Sequence, residues 1–116
     1  MGTKTALTNT APDLLRGTVD LLILRVVANG PLHGYAIAQR LRVVSHDILQ
    51  VGESALYPAL NRLLLRDLVK ASWGVSENNR RARYYTITAA GKKHLAVERA
   101  EFERLLAAMT RVMEHG

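Results

Sequence analysis

The chain has 116 residues, 48% of them apolar and 22% charged, the size and composition of one globular domain rather than of a disordered segment. It contains no cysteine, which excludes disulfides, thiolate zinc sites and cysteine nucleophiles together. The longest apolar run, Leu21 to Leu24 and then Val26 to Ala28, is broken by Arg25 and falls far short of the roughly 20 residues of a membrane helix. Residues 1–12 lack the apolar core of a signal peptide, so a cytoplasmic protein with no membrane partner is expected.

The formal net charge is +6, and it is unevenly placed. Residues 53–93 hold eight basic side chains against three acidic ones, a net of +5. Residues 1–52 come to +2 and residues 94–116 to −1. A basic middle third is an electrostatic footprint suited to a polyanion such as nucleic acid. A merely solvated basic face would have the same composition.

In chain order, residues 1–12 are small and polar and read as a flexible tail. Asp13 reads as the N-cap of a helix from Leu14 to Ala28. Leu15, Val19, Leu22, Ile23, Val26 and Val27 form one apolar stripe of that helix, and Leu14, Leu21, Leu24 and Ala28 a second on the opposite side. A helix apolar on both sides needs cover on both, which points to a partner subunit. Asn29-Gly30-Pro31 stops it.

A second helix is predicted from His33 to Val44, with Ile37, Leu41 and Val44 inward. A third runs from Ser54 to Asp67 on an apolar set of Leu56, Leu60, Leu63 and Leu64. Pro58 is expected in its first turn, where a missing amide costs nothing. The period then changes from 3.6 to 2. Val69 to Val75 and Arg81 to Thr88 read as two strands of a hairpin, with Ser76 to Arg80 as its turn. Thr88 caps a long final helix from Ala89 to Met113. Leu95, Phe102 and Met109 repeat by sevens on it, with Leu105 and Val112 offset, Glu98 in the remaining slot, and Leu106 and Met113 widening the seam. A heptad seam needs a partner helix.

The expected fold is mainly α with a small β-hairpin: a winged helix-turn-helix over residues 13–88 and a long C-terminal dimerisation helix over 89–116. The chemistry of each part suits DNA. The major groove admits one α-helix, and the third helix has an apolar face to seat it and a polar face to present. Asn61 can offer a bidentate amide to adenine, Arg62 a fork to guanine or phosphate, and Ser54 a hydroxyl. Tyr57 reads either as a phosphate contact or as a half-buried core tyrosine. Arg80, Arg81 and Arg83 sit where a wing meets the DNA backbone or minor groove, and Lys70 belongs to the same basic set.

Taken together, LLRGTVDLLILRVVANGPLHGYAIAQRL, ESALYPALNRLLLRDLV and WGVSENNRRARYYTITAAGKK resemble the PadR family of bacterial transcriptional regulators. The resemblance runs from residue 14 to about 113, and the joint occurrence of GPLHGY, LYPAL and the RYYTIT-AAG segment makes it specific. It implies a homodimeric winged-helix repressor whose final helix packs against its partner. By position it places Ser54, Ala55, Tyr57, Pro58 and Asn61 on the recognition helix, and Tyr35 and Gln39 on the supporting helix near DNA phosphates. Arg80, Arg81 and Arg83 fall on the wing. Asn61 stands where members often have His, which bears on base preference, and Ala89 replaces a common acidic residue. The single final helix matches the short branch of the family. The resemblance leaves open a small aromatic or drug-like effector, or none.

The expected partners are therefore double-stranded DNA and a second copy of the chain, with Leu14, Leu21, Leu95, Phe102, Leu105, Met109 and Val112 as dimer contacts. No cofactor, metal or catalytic residue is expected. His33, His46, His94 and His115 with Asp13, Asp20, Asp47 and Asp67 form no metal-ligand or hydrolase motif. His33 reads as a helix-start residue, and Trp73, Met109 and Met113 as core or interface in preference to an effector pocket. The competing reading is a protein-interaction module that uses the heptad seam without specific DNA binding.

Overall fold

The computed structural model describes residues 13–116, and side chains from Gly17 onward. The flexible tail expected over residues 1–12 and the side chain of Leu14 lie outside the described part. Four helices and three short strands follow in the order α1 (Asp13–Val27), β1 (Leu32–His33), α2 (Gly34–Val44), α3 (Glu53–Leu65), β2 (Val69–Val75), β3 (Arg81–Ile87) and α4 (Ala89–His115). The architecture is the expected winged helix-turn-helix with a long terminal helix.

The caps explain several boundaries. His33 is extended and its Nδ1 accepts from the amide of Ala36, so it caps α2 as a helix-start residue. Thr88 Oγ1 accepts from the Gly91 amide at 2.9 Å and donates to the Asp67 carbonyl at 2.7 Å. One hydroxyl thus caps α4 and ties it to the end of α3. The turn between α2 and α3 places His46 and Asp47 at φ of 56° and 66°, and the Asp47 amide closes it on the Arg42 carbonyl.

The core gathers Ile23, Leu24 and Val27 of α1, Ile37 and Leu41 of α2, Leu56, Ala59, Leu60 and Leu63 of α3, and Leu68, Val69, Tyr85 and Ile87 around the sheet. At about 25 cal/mol per Å2, this apolar burial is the main force holding the domain together. α4 lies on α1 and β3 through its first half, where Leu95 packs against the core and Gly91 is buried.

Four expectations need correction. Val44, expected inward with Ile37 and Leu41, is 58% exposed, because it is the last residue of α2 and lies beyond the packed face. Asp13 is the first residue of α1 rather than its cap. Leu24, assigned to a face awaiting a partner, is buried within its own chain, because α1 is enclosed by α2, α3, α4 and β3. Apolar side chains left exposed include Val97, Leu105, Leu106, Met109, Val112 and Met113 on α4, the helix whose heptad seam is expected to need a partner, and also Val43, Val44, Leu65, Trp73 and Val75 elsewhere. Pro58 is the sixth residue of α3, in its second turn. It is exposed, so the amide it lacks lies on the solvent side and not in the packed face.

The sheet holds one strand the alternation did not reveal. β1 has only two residues and pairs antiparallel with β3, Leu32 opposite Tyr85 and His33 opposite Tyr84. β2 and β3 pair in register from Val69–Ile87 to Val75–Arg81, giving the order β1-β3-β2. Two residues between a proline and a helix start carry too little pattern to read as a strand.

Candidate nucleic-acid interface

The helix-turn-helix presents one polar face. Ser54, Tyr57, Pro58 and Asn61 recur at i, i+3, i+4 and i+7 on α3, and all four are exposed. Leu56, Ala59, Leu60 and Leu63 form the buried face that seats them. Ala55 is half-buried between the two. On α2, Tyr35, Gln39 and Arg42 share a face at i, i+4 and i+7 and are exposed. With Ala38, Gln50, Val51 and Gly52 they line an open groove of about 360 Å3 beside the start of α3. Arg42 was missed in the sequence, although the same spacing from Tyr35 and Gln39 marks it. Its Nε stands 3.6 Å from Asp47.

Tyr57 lies outside the core but is partly covered. It is 47% exposed, yet its ring lies against Gly34, where a Cβ would stand 2.9 Å from the hydroxyl oxygen. Gly34 is the first residue of α2, directly after His33. The His33 ring is 5.4 Å from that of Tyr84 on the wing, and its Nε2 is 3.5 Å from the Glu77 carboxylate in the wing turn. An unbroken chain of contacts therefore joins the exposed face of α3 to the β2–β3 hairpin.

Arg62 is placed differently from its neighbours. Its Nε donates to Asp20 Oδ2 at 3.0 Å and its second amino nitrogen to Oδ1 at 2.7 Å, a bidentate pair between α3 and α1. Asp20 makes the guanidinium harder still to deprotonate, chiefly through these hydrogen bonds; burial opposes the shift, and the carboxylate's charge adds a push smaller than either. The fork expected for guanine is already occupied by a carboxylate.

The wing carries the other cations expected to meet DNA, Lys70, Arg80, Arg81 and Arg83. Its turn is closed by the Ser76 amide donating to the Arg80 carbonyl at 2.8 Å, with Asn79 left-handed at φ 58°. Arg80, Arg81 and Arg83 are exposed. Lys70 is exposed too, opposite Thr86 on the other face of the hairpin from Arg81 and Arg83. Trp73 is 60% exposed on β2 and so is not a core residue of the single subunit, and the guanidinium of Arg81 lies 4.4 Å from its ring centre. Arg83 lies 5.9 Å over Tyr85. The two sites of exposed polar chemistry are thus an α-helix face and an arginine-bearing hairpin, fixed to each other through α2 and β1.

The family model for the transcriptional regulator PadR-like family matches residues 23–97, which takes in the core, the α3 face and the whole wing. The chain belongs to the PadR-like family of transcriptional regulators. An uncharacterised protein of Lysinibacillus sphaericus is 31% identical over 84 residues, covering 72% of this chain and 77% of that one. A transcriptional regulator from Clostridium thermocellum superposes with a TM-score of 0.77 at 30% identity, over 85% of this chain and 96% of its own. A PadR-like transcription factor from Bacteroides fragilis gives 0.70 at 26% identity, over 85% and 93%. This PadR-like protein is accordingly a regulator by family and not an enzyme. Among the described residues no group of histidine and acidic side chains could hold a metal ion, and no helix is long and apolar enough to cross a membrane.

Proposed function

We propose that this PadR-like regulator is a sequence-specific DNA-binding repressor of the cytoplasm that acts as a homodimer on a two-fold symmetric operator. The observation that carries the reading is the pairing of an exposed Ser54–Tyr57–Asn61 face with an exposed arginine wing in the +5 segment of the chain. Asn61 reads a base edge, Ser54 and Tyr57 reach base or backbone, and Tyr35, Gln39 and Arg42 meet phosphates flanking the groove. Arg80, Arg81 and Arg83 neutralise phosphate or enter the minor groove, with Lys70 adding charge nearby. Arg62 holds α3 on α1 through Asp20 instead of contacting DNA.

The homodimer rests on α4. Its 27 residues make a helix about 40 Å long, and its second half exposes Leu105, Met109 and Val112 along the heptad seam. Phe102 and Leu21 are half-buried in one subunit, and Leu95 is shared with its own core. Paired helices would set the two recognition helices about 34–36 Å apart, on successive major grooves.

Selection of bound duplexes from a random DNA pool tests the DNA binding, its sequence specificity and its two-fold symmetry. A palindromic motif is expected, with affinity falling steeply as salt rises. Retention without any enriched sequence would remove specificity, and a one-sided motif would remove the symmetric dimer.

A further inference from the structure

We propose that Trp73 is a positioning residue for DNA binding: its ring holds the guanidinium of Arg81 in the orientation with which the wing meets the phosphate backbone. The proposal rests on the DNA-binding reading of the wing and deepens it.

Trp73 is the chain's one tryptophan, and it is set where a hydrophobic residue has little to bury against. β2 starts in the core at Val69, but the same face runs on past the body of the domain to Trp73 and Val75, both exposed. Pairing puts Arg83 directly across from Trp73, and Arg81 one step further out, across from Val75. Arg81 does not extend away into solvent. Its guanidinium turns back diagonally and sits 4.4 Å from the Trp73 ring centre, within the range of a cation–π contact. Arg83 turns inward in the same sense, over Tyr85 at 5.9 Å.

This face of the wing therefore carries two guanidinium groups, each held by an aromatic ring. A stacked guanidinium uses its flat face on the ring and keeps its N–H edges for oxygen acceptors. A free arginine must give up rotamer freedom when it binds, whereas one already laid on a ring gives up less. Among the described residues no carboxylate pairs with Arg81. Among the described residues its ring contact with Trp73 is the interaction that fixes its direction, while the nearby Glu77 carboxylate is directed to His33. Trp73 thus acts through Arg81 and does not itself need to touch DNA.

The test is a double-mutant cycle on affinity for a selected operator duplex, using the full chain. W73L keeps an apolar side chain but removes the ring face, and W73F keeps a ring. Because Trp73 is largely exposed, neither substitution opens the core. W73L is expected to bind about two- to fivefold more weakly, the range of an exposed cation–π contact. It should have no further effect in an R81A background, and W73F should bind within about twofold of the wild type. Equal losses from W73L with and without Arg81 would overturn the proposal, because a merely structural role predicts that result. W73L binding as tightly as the wild type would overturn it too, with R81A then showing whether the wing still contacts DNA. A wild-type chain that fails to bind duplex DNA at low salt would overturn the underlying reading as well.

Discussion

Gly34 and Tyr57 are in contact across the helix-turn-helix, the tyrosine ring resting where a side chain on residue 34 would project. A Cβ there would lie 2.9 Å from the hydroxyl oxygen, 3.1 Å from Cε1 and 3.2 Å from Cζ. These atoms are the far end of a rotatable side chain, and alanine suits the first turn of a helix. Gly34→Ala is therefore expected to change stability by less than about 1 kcal/mol while moving Tyr57 off α2. Operator affinity should fall without a matching fall in the urea midpoint. An unfolded variant would show the contact to be structural alone.

Gly91 is the opposite case. It is buried in the first turn of α4, and a Cβ there would overlap the Leu68 carbonyl oxygen and stand 2.8 Å from Ile87 Cγ1. The obstacle is backbone already bonded to the Thr88 amide, so it cannot turn aside. Gly91→Ala should cost about 3 kcal/mol or more by forced separation of α4 from the sheet. Denaturant unfolding checks it, and a loss under about 1 kcal/mol would mean that α4 can shift away from the Leu68 carbonyl at little cost.

The pair Asp20–Arg62 should behave as a stability element. Their side chains are 16% and 34% exposed, so removing either partner is expected to cost about 1–2 kcal/mol. Asp20→Ala and Arg62→Ala should each lower the unfolding midpoint, and the double mutant should lose less than their sum. Base preference should be unchanged in all three. If Arg62→Ala instead altered the preferred base at full stability, the arginine would belong to the DNA contacts after all.

Glu77 makes the wing turn sensitive to acid. Its own backbone amide, and after it the ring of His33, hold the carboxyl below the usual glutamate range. The folded state therefore binds fewer protons there than the unfolded one, and this contribution is present above the ordinary value of about 4.3. It is lost as the pH falls through the lower, folded-state value. Glu77→Gln should flatten the dependence of stability on pH between about 5 and 3. Urea melts across that window check it, and parallel curves for variant and wild type would exclude the tie to His33.

The dimer seam is testable at Phe102. Phe102→Glu would bury an unpaired charge between paired α4 helices, which is costly, but would leave the single-subunit core untouched. Sedimentation should show a monomer, and operator affinity should fall with it. A variant that stays dimeric and binds normally would place the interface elsewhere.

Much of this molecule is decided locally and was therefore legible in the sequence. The 3.6-residue apolar spacing of α3, the switch to alternation at Val69, and the Thr88 cap depend on near neighbours alone, and each lies where the pattern puts it. The exposed set Ser54, Tyr57 and Asn61 follows from the same helical geometry once the buried set is known. What the sequence could not decide was which surfaces find cover and which charges find partners. Leu24 and Arg62 are the clearest cases: one is covered by helices of its own chain, the other held by a carboxylate 42 residues away. Trp73 has the alternation of a core residue, yet the hairpin carries it beyond the body of the domain to an arginine. Periodicity reports which way a side chain points along its own element. Only the packing of elements settles what, if anything, stands opposite it.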